Sequence, residues 1–383
     1  MLGIRQYLKM ILQNVLLPVV YRWYCRKPVQ KGLVLFADAH HEELPFSMGR
    51  MYEAVSELEE KGVCRIERFI SDFGRMPFGA MVRSLLRFMK RYAVAEYVFI
   101  CDYYLPVASC RKRSETTVVQ LWHSCGLMKK IAYDTGQDIP KNYRGDMFGN
   151  YTYLTLSAQV CVPVHERALR LPASHIQATG VSRTDFYFDE AWNRKCRERF
   201  FEQYPQAKGK KIAVWAPTFR GNAAEPYLEG LEQMRRVSGE LPPTWYLIIK
   251  AHPHVDAHEK ISNCELPTEE LLTVADVLIT DYSSVLFDYL LYEKPAVLFA
   301  PDLQEYEDGR GFYLDYRSVP FPVVQTQEEV LSAIVECEAW TKSHAKEIRE
   351  FKELYVGACD GRATQRILKL IGLEKEQEAG KDV

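Results

Sequence analysis

The sequence lacks the loops by which proteins most often hold a phosphate or present a nucleophile. It contains no GxxxxGK[ST] loop, no GxGxxG turn and no GxSxG elbow, so any nucleotide must be held by other means. It also has no CxxC pair. Its ten cysteines (Cys25, Cys64, Cys101, Cys110, Cys125, Cys161, Cys196, Cys264, Cys337 and Cys359) are scattered, whereas zinc and disulfide frameworks need clustering. Thiols in apolar runs such as 98–101 behave as small core residues, and a reducing cytoplasm is expected. Gln13-Asn14 interrupt the one apolar run that approaches the ~20 residues of a spanning helix. The stretch Tyr24-Cys25-Arg26-Lys27-Pro28 does not resemble a signal-peptide cleavage site. Internal repeats and low-complexity segments are absent as well.

What is present describes an ordinary globular chain. The 383 residues are 47% hydrophobic and 26% charged, enough for two cores. The net charge of −2 hides an asymmetry: residues 1–150 carry 22 Lys/Arg against 15 Asp/Glu, leaving 27 against 36 for the remainder. A basic front half points to an anionic partner. Residues 5–24 read as an amphipathic helix kinked at Pro18, with Leu8, Ile11, Leu12, Val15, Leu16 and Val19 at helical spacing. Six basic residues (Arg5, Lys9, Arg22, Arg26, Lys27 and Lys31) precede the first acid, Asp38. With Trp23 nearby, this segment is expected to lie on an anionic cytoplasmic leaflet; the alternative is a helix packed on its own domain. The basic stretch 81–91 extends that face or is a solvated helix face. Nucleic acid is not an expected partner, because the basic residues sit in amphipathic helices without a stacking platform.

Beyond this segment, short apolar runs alternate with helical patterns, the signature of parallel α/β sheets. Strands are expected at 32–37, 97–101, 118–121, 159–162, 175–178, 211–216, 245–250, 277–280 and 296–299. Helices are expected near 46–61, 78–92, 187–204, 226–239, 284–292, 327–340 and 343–373. The expected division is 1–28, an interfacial helix; 29–204 and 205–373, two Rossmann-like doubly wound domains; and 374–383, a polar tail. Two such sheets in series would place a ligand cleft between the carboxyl ends of their strands.

The strand-end loops carry the chemistry. Thr280-Asp281-Tyr282-Ser283-Ser284 leads into a helix, and a serine there is a suitable cap or half of an anion site. Pro217-Thr218-Phe219-Arg220 supplies a hydroxyl and a guanidinium that suit a pyrophosphate; a surface arginine is the equal alternative. Lys250 and His252 end another strand. His252, His254, Asp256 and His258 have a spacing that admits a divalent ion, but no distant ligand completes the set, and no metal is expected. In the first half, His123 follows a strand and is a candidate general base or a structural histidine beside Trp122. His40 and His41 have weaker claims.

Taken together, these loops resemble the CDP-glycerol glycerophosphotransferase family, the primases and polymerases of teichoic acid synthesis. The matching segments are Gln120-Leu-Trp-His123 with Lys129-Lys130, Gly180-Val-Ser-Arg183-Thr-Asp185, Ala216-Pro-Thr-Phe-Arg220, His252-Pro253 and 275–284. Asp288, Lys294-Pro295 and 309–313 extend the match. Two departures stand out: the family's W-H-G-T-P-L-K is here Trp122-His-Ser-Cys-Gly-Leu-Met-Lys129, and its G-x-P-R is Gly180-Val-Ser-Arg183. The resemblance implies a GT-B fold with two domains facing a cleft and monotopic attachment to the cytoplasmic face of the membrane. It implies transfer of a polyol phosphate, glycerol phosphate first, from a CDP-polyol to a lipid-linked saccharide acceptor with release of CMP. CDP-ribitol and a nucleotide-sugar glycosyltransferase are the alternatives, and no tightly bound cofactor is expected. The resemblance makes His123 the catalytic histidine, with His252 assisting. It makes the Thr218/Arg220, His252 and Ser283/Ser284 positions the donor-binding loops, and Lys250, Asp281 and Arg310 are further expected donor or phosphate contacts. The length fits one catalytic unit, which favours a primase or a short capsule enzyme over a polymerase.

Overall fold

The computed structural model describes residues 10–139, 145–222 and 225–374. Leu8, Arg5 and Lys9 of the expected first helix, and all of the expected tail except Glu374, lie outside the described residues. The chain divides into two compact units. Unit 1 comprises Met1–His123, Ala132–Asp185 and Ala358–Val383; unit 2 comprises Ser124–Ile131 and Phe186–Gly357.

Unit 1 is built on six strands: β1 Gln30–Asp38, β2 Arg65–Ile70, β3 Ala95–Ile100, β4 Thr117–Gln120, β5 Tyr153–Thr155 and β6 Ile176–Gln177. All pair in parallel, in the order β2-β1-β3-β4-β5-β6. A parallel sheet is covered on both faces, so its strands are continuous apolar runs; Val34, Leu35, Phe36 and Ala37 are all buried. After β2 the chain returns to the other side of β1, which makes the β1/β3 gap the switch point of the sheet.

Four helices of unit 1 matter here: α1 Leu17–Tyr24, α2 Phe46–Glu60, α3 Phe78–Tyr92 and α4 Val162–Leu169. A π-helical turn, Leu12–Leu16, precedes α1. Pro18 has no N–H to donate, and a widened turn before it accommodates the loss. The expected single apolar face of this segment is split in two. Leu12, Leu17 and Tyr21 are buried, with Tyr21 5.0 Å from Tyr92 of α3. Ile11, Val15, Leu16, Val19 and Trp23 remain exposed. Among the described residues no helix is long and apolar enough to cross a membrane.

The expected strand at 159–162 is instead a 3₁₀ turn leading into α4. Pro163 sits in the first helical turn, where its missing N–H is harmless. The strand of this region is β5. The edge strand β2 went unread because half of its residues are charged and only Phe69 is buried.

The helix Ala363–Leu370 also belongs to unit 1. Its Ile367 packs with Val34, Met48, Phe99 and Val119 in one core. Asp185 accepts from the N–H groups of Ala363 (3.0 Å) and Thr364 (2.8 Å), and the Ser182 and Thr364 hydroxyls meet at 2.8 Å. At Gly180 (φ +84°) a Cβ would lie 2.4 Å from the Ala358 carbonyl oxygen, so only glycine fits. The motif 180–185 therefore clamps the fold.

Unit 2 has a five-stranded parallel sheet of β7 Lys211–Trp215, β10 Trp245–Ile249, β11 Val277–Thr280, β12 Ala296–Phe299 and β13 Val323–Val324. The order is β10-β7-β11-β12-β13, with the switch point between β7 and β11. A small antiparallel hairpin, β8 Arg220–Asn222 with β9 Glu225–Tyr227, lies outside this sheet. The helices are α5 Glu190–Gln203, α6 Leu231–Glu240, α7 Thr268–Val274, α8 Val285–Tyr289, α9 Leu303–Gly309, α10 Gln327–Ser343 and α11 Ala345–Val356. The expected boundary after residue 204 falls inside unit 2. The helix expected near 187–204 is α5, whose Arg197 donates to the Thr273 carbonyl (3.0 Å) and whose Phe200 is buried. The single helix expected at 343–373 is two, α11 and the helix Ala363–Leu370, split where the chain returns to unit 1.

Candidate active site

In unit 1 the loops after β1, β3 and β4 carry two histidine–carboxylate pairs. After β1, Asp38 is buried and accepts from the Nδ1 of His41 (2.8 Å) and from the backbone N–H groups of His40 and His41 (2.8 and 2.9 Å). Burial alone would raise the Asp38 pKa, but these hydrogen bonds outweigh it and hold the carboxyl below its usual range. The same hydrogen bond raises the His41 pKa, with burial opposing. After β3, the Cys101 thiol donates to Asp38 across 3.9 Å. Burial first, then the Asp38 charge, pushes that thiol well above its ordinary pKa, so it is no nucleophile.

His123 follows β4. Its Nδ1 lies 3.2 Å from the Cys101 carbonyl oxygen and 3.9 Å from the Asp102 carboxylate. A carbonyl only accepts, so Nδ1 carries the proton in that bond and Nε2 is left as the basic nitrogen. Trp122 stacks on the imidazole with centroids 5.1 Å apart. It does so from a left-handed backbone (φ +60°), which is strained for a bulky residue. Gln120, fully buried, holds this arrangement. Its Oε1 accepts the Trp122 N–H (3.1 Å), and its Nε2 donates to the Asp102 carbonyl (3.1 Å) and the Tyr151 hydroxyl (3.2 Å). One amide thus fixes both sides of His123. Behind Trp122, burial drives the His165 pKa down to about 4 and keeps that ring neutral.

In unit 2 the loops after β7 and β11 flank the switch point. Arg220, expected to face a pyrophosphate or solvent, is instead buried. Its Nε and Nη2 grip Asp302 (2.7 and 3.0 Å), Nη2 also reaches Asp281 (2.9 Å), and Nη1 donates to the Thr218 carbonyl (2.6 Å). Burial would lower its pKa, but the two carboxylates outweigh that and raise it further; Asp302 is correspondingly held low. With two carboxylates on one guanidinium, this cluster offers no spare positive charge. Asp281 is likewise committed, accepting the Thr218 N–H (2.8 Å). Tyr282 donates to Asp302 (2.9 Å) and stacks on Tyr306 at 3.9 Å, and both rings flank Arg220. Asp302 and Tyr306 escaped the sequence reading, and Tyr282 was read only as part of the loop 280–284. The signal available was an acid three residues past β12, at a strand end as Asp281 is one residue past β11.

This frame leaves hydroxyls uncommitted. The Thr218 Oγ1 is buried with no hydrogen-bond partner among the described residues. Ser284 stands at the N-cap of α8 but makes no side-chain cap bond, and the Ser283 Oγ lies 3.4 Å from the Val285 N–H. The Lys250 ammonium donates to the Cys264 carbonyl (3.2 Å), leaving other donors on that nitrogen. His252 is exposed beside Phe219, with ring centroids 4.7 Å apart. The Arg310 Nε donates to the Lys130 carbonyl (3.0 Å). The segment Ser124–Ile131 is moored there within unit 2, with Lys130 N–H to Gly311 O at 3.1 Å and Tyr313 N–H to Met128 O at 2.8 Å. Asp256 of the histidine-rich run accepts from the Ile261 and Ser262 N–H groups (3.0 and 2.9 Å). Among the described residues no group of three or more His, Cys, Asp or Glu is placed to hold a metal.

The sequence model of the CDP-Glycerol:Poly(glycerophosphate) glycerophosphotransferase family matches residues 19–373. The chain belongs to this family. It is 30% identical over 378 residues to the teichoic acid poly(ribitol-phosphate) polymerase of Bacillus spizizenii, covering 92% of this chain and 58% of that protein. It is 28% identical over 361 residues to the teichoic acid ribitol-phosphate primase of the same organism, covering 90% of this chain and 92% of that one. To the teichoic acid glycerol-phosphate primase of Bacillus subtilis it is 27% identical over 294 residues, covering 72% and 73%. The chain thus spans less than two thirds of the polymerase but nearly the whole ribitol-phosphate primase. The fold matches that of the wall teichoic acid polymerase TagF with a TM-score of 0.73 at 18% identity, over 97% of this chain and 98% of that one. Within this chain the segments of the resemblance are of two kinds. Residues 120–123 and 216–220 sit at strand ends, whereas 180–185 and 309–313 hold elements in place within their own units.

Proposed function

We propose that this family member transfers a polyol phosphate from a CDP-polyol to a hydroxyl of a membrane-linked acceptor in teichoic acid or related surface-polymer synthesis. The observation that carries the reading is the family match over 19–373. The uncommitted hydroxyl of Thr218 at the unit 2 switch point supports it. In this reading the two parallel sheets are the halves of a GT-B enzyme, and the CDP end of the donor lies on unit 2, contacted by Thr218, Ser283, Ser284 and Lys250. Arg220 and Asp281 shape those loops rather than touch phosphate.

The acceptor oxygen attacks the phosphorus that bears the polyol. A new P–O bond forms as the bond to the bridging oxygen breaks, and CMP departs with that oxygen. His123 takes the acceptor proton on Nε2, because Nδ1 is already bonded to Cys101, and such general-base help is worth about 10²–10⁴ in rate. The hydroxyls and the Lys250 ammonium stabilise charge accumulating on the leaving phosphate. CMP is a good leaving group, so assistance from His252 matters less than the base.

Glycerol phosphate follows from the family description. Ribitol phosphate is the second reading, favoured by the 30% and 28% identities to the two Bacillus spizizenii ribitol-phosphate proteins. Incubation with a lipid-linked disaccharide and CDP-glycerol, CDP-ribitol or a UDP-sugar, followed by product mass spectrometry, tests both. CMP release with either CDP-polyol supports the reading; transfer only from the UDP-sugar overturns it.

Peripheral attachment to the cytoplasmic face of an anionic membrane completes the proposal. It is supported by the exposed stripe of Ile11, Val15, Val19 and Trp23, each more than half exposed, and by Arg26 lying 4.2 Å over the Trp23 ring.

A further inference from the structure

A cavity of about 390 Å³ opens in unit 1 between α1 and the segment before β4. Its walls include Tyr21, Arg22 and Cys25 on one side and the run Cys110-Arg111-Lys112-Arg113 on the other. Cys25 precedes β1 and the basic run precedes β4, so the cavity lies at the edge where these strands begin. His41, Asp102 and His123 follow the strands' carboxyl ends. In a parallel sheet those edges are opposite, and β4 alone separates them by roughly 13 Å at the usual rise per residue. The cavity is therefore distinct from the strand-end site of unit 1.

Four cations converge on it with little to neutralise them. Arg113 is a frame: its guanidinium donates to the carbonyls of Cys25 (3.3 Å), Lys27 (2.7 Å) and Ala93 (3.4 Å) and to Glu115 (3.1 Å). Its N–H donates to the Tyr21 hydroxyl (3.0 Å), which ties the basic run to α1. Lys112 donates to the Thr116 carbonyl (2.9 Å) and is partly buried, which lowers its pKa. Arg22 and Arg111 are exposed, and neither forms an ion pair with a carboxylate among the described residues. A concave cluster in which the Arg22 and Arg111 guanidinium groups have no carboxylate partner among the described residues suits a phosphate. What carries that phosphate is indicated by the same helix. One residue after Arg22 stands exposed Trp23, and Val19 and Val15 continue the apolar stripe one and two turns back. A phosphate at Arg22 with apolar chains along that stripe is the geometry of a lipid.

We propose that this cavity binds the phosphodiester headgroup of an anionic membrane lipid and so fixes the orientation of α1 on the bilayer. The inference rests on the membrane part of the reading above and is independent of the transfer reaction. It is tested by flotation of the full chain with phosphatidylcholine vesicles, with and without phosphatidylglycerol. Arg22→Gln combined with Arg111→Gln should lower partition onto phosphatidylglycerol vesicles by about tenfold or more, since each basic residue near such a surface contributes about 1 kcal/mol. Arg83→Gln combined with Arg87→Gln removes the same charge from α3 and should cost clearly less. Equal losses from the two double variants overturn the cavity in favour of diffuse charge. A chain that floats with neither vesicle overturns the membrane reading as well. In a second arm, inorganic phosphate and glycerol 1-phosphate are added without vesicles and thermal unfolding is followed. Stabilisation of the parent but not of the Arg22/Arg111 variant, with no preference for phosphatidylglycerol in flotation, would reassign the cavity to a soluble phosphate.

Discussion

The two strand-end sites use the same position in a parallel sheet for opposite purposes. In unit 1 the loops after β1 and β4 carry imidazoles held by hydrogen bonds, His41 on Asp38 and His123 on the Cys101 carbonyl. In unit 2 the Arg220 guanidinium is committed to two carboxylates, Asp281 and Asp302, leaving the hydroxyls and the Lys250 ammonium as the available contacts. A proton-transfer site needs titratable groups poised between states. A site for a charged donor needs preorganised donors that do not reorganise on binding. The comparison teaches that a buried arginine in a strand-end loop can serve geometry alone.

The most direct way to break this contrast is at His123. His123→Ala should lower transfer by about 10²–10⁴ while CDP-glycerol binding by calorimetry is unchanged; substantial residual turnover would return the base role to His41. Next comes Arg220. Arg220→Ala leaves Asp281, buried, and Asp302, partly buried, without their counter-charge, so denaturant unfolding should show a loss of about 3–5 kcal/mol. Lysine should not rescue it, because it lacks the planar fork that meets both carboxylates. A variant of undiminished stability that nevertheless fails to bind donor would put the guanidinium back on the phosphate. Thr218→Val sharpens the other half of the contrast. It removes a hydroxyl with no partner among the described residues, so stability should hold. Donor affinity should fall by about tenfold or more if that hydroxyl meets charged phosphate, since such bonds are worth about 1.5–3 kcal/mol.

The smallest effect concerns pH. The His41 pKa is raised in the folded state, so the pair's contribution is full below the ordinary imidazole value of about 6.5. It is lost as pH rises through the raised value. Asp38, held low, contributes above the ordinary carboxylate range and loses its contribution as pH falls through its own depressed value. The difference in melting temperature between the parent and His41→Ala should therefore be largest in mildly acidic solution and shrink toward alkaline pH. A flat difference would show that Asp38 is satisfied by backbone N–H groups alone. Because His41 is half exposed, solvent screening keeps this effect modest.

Much of the fold was legible because buried parallel strands are written as unbroken apolar runs; β1, β7, β10, β11 and β12 were all read from such runs. Strands such as β2, charged and at an edge, and β5, three residues long, carry no such signature. The histidine at the end of β4 was legible because a strand followed by a small-residue turn exposes it. The commitment of Arg220 was not, since Asp302 is 82 residues away in sequence and no local pattern joins them. For the same reason the motif 180–185 was read with the site. Its partners Ala363 and Thr364 lie beyond the whole of unit 2.

The placement of Ile367 in the core of unit 1 also has a consequence for how the chain matures on the ribosome. Apart from Ser124–Ile131, unit 2 is one continuous stretch and can complete its core as soon as Gly357 has emerged. Unit 1 is begun first but lacks the helix Ala363–Leu370 until residues beyond unit 2 have been synthesised. Its sheet therefore waits with the face packed by α2 only partly covered while a later domain finishes, reversing the usual order in which domains fold as they appear.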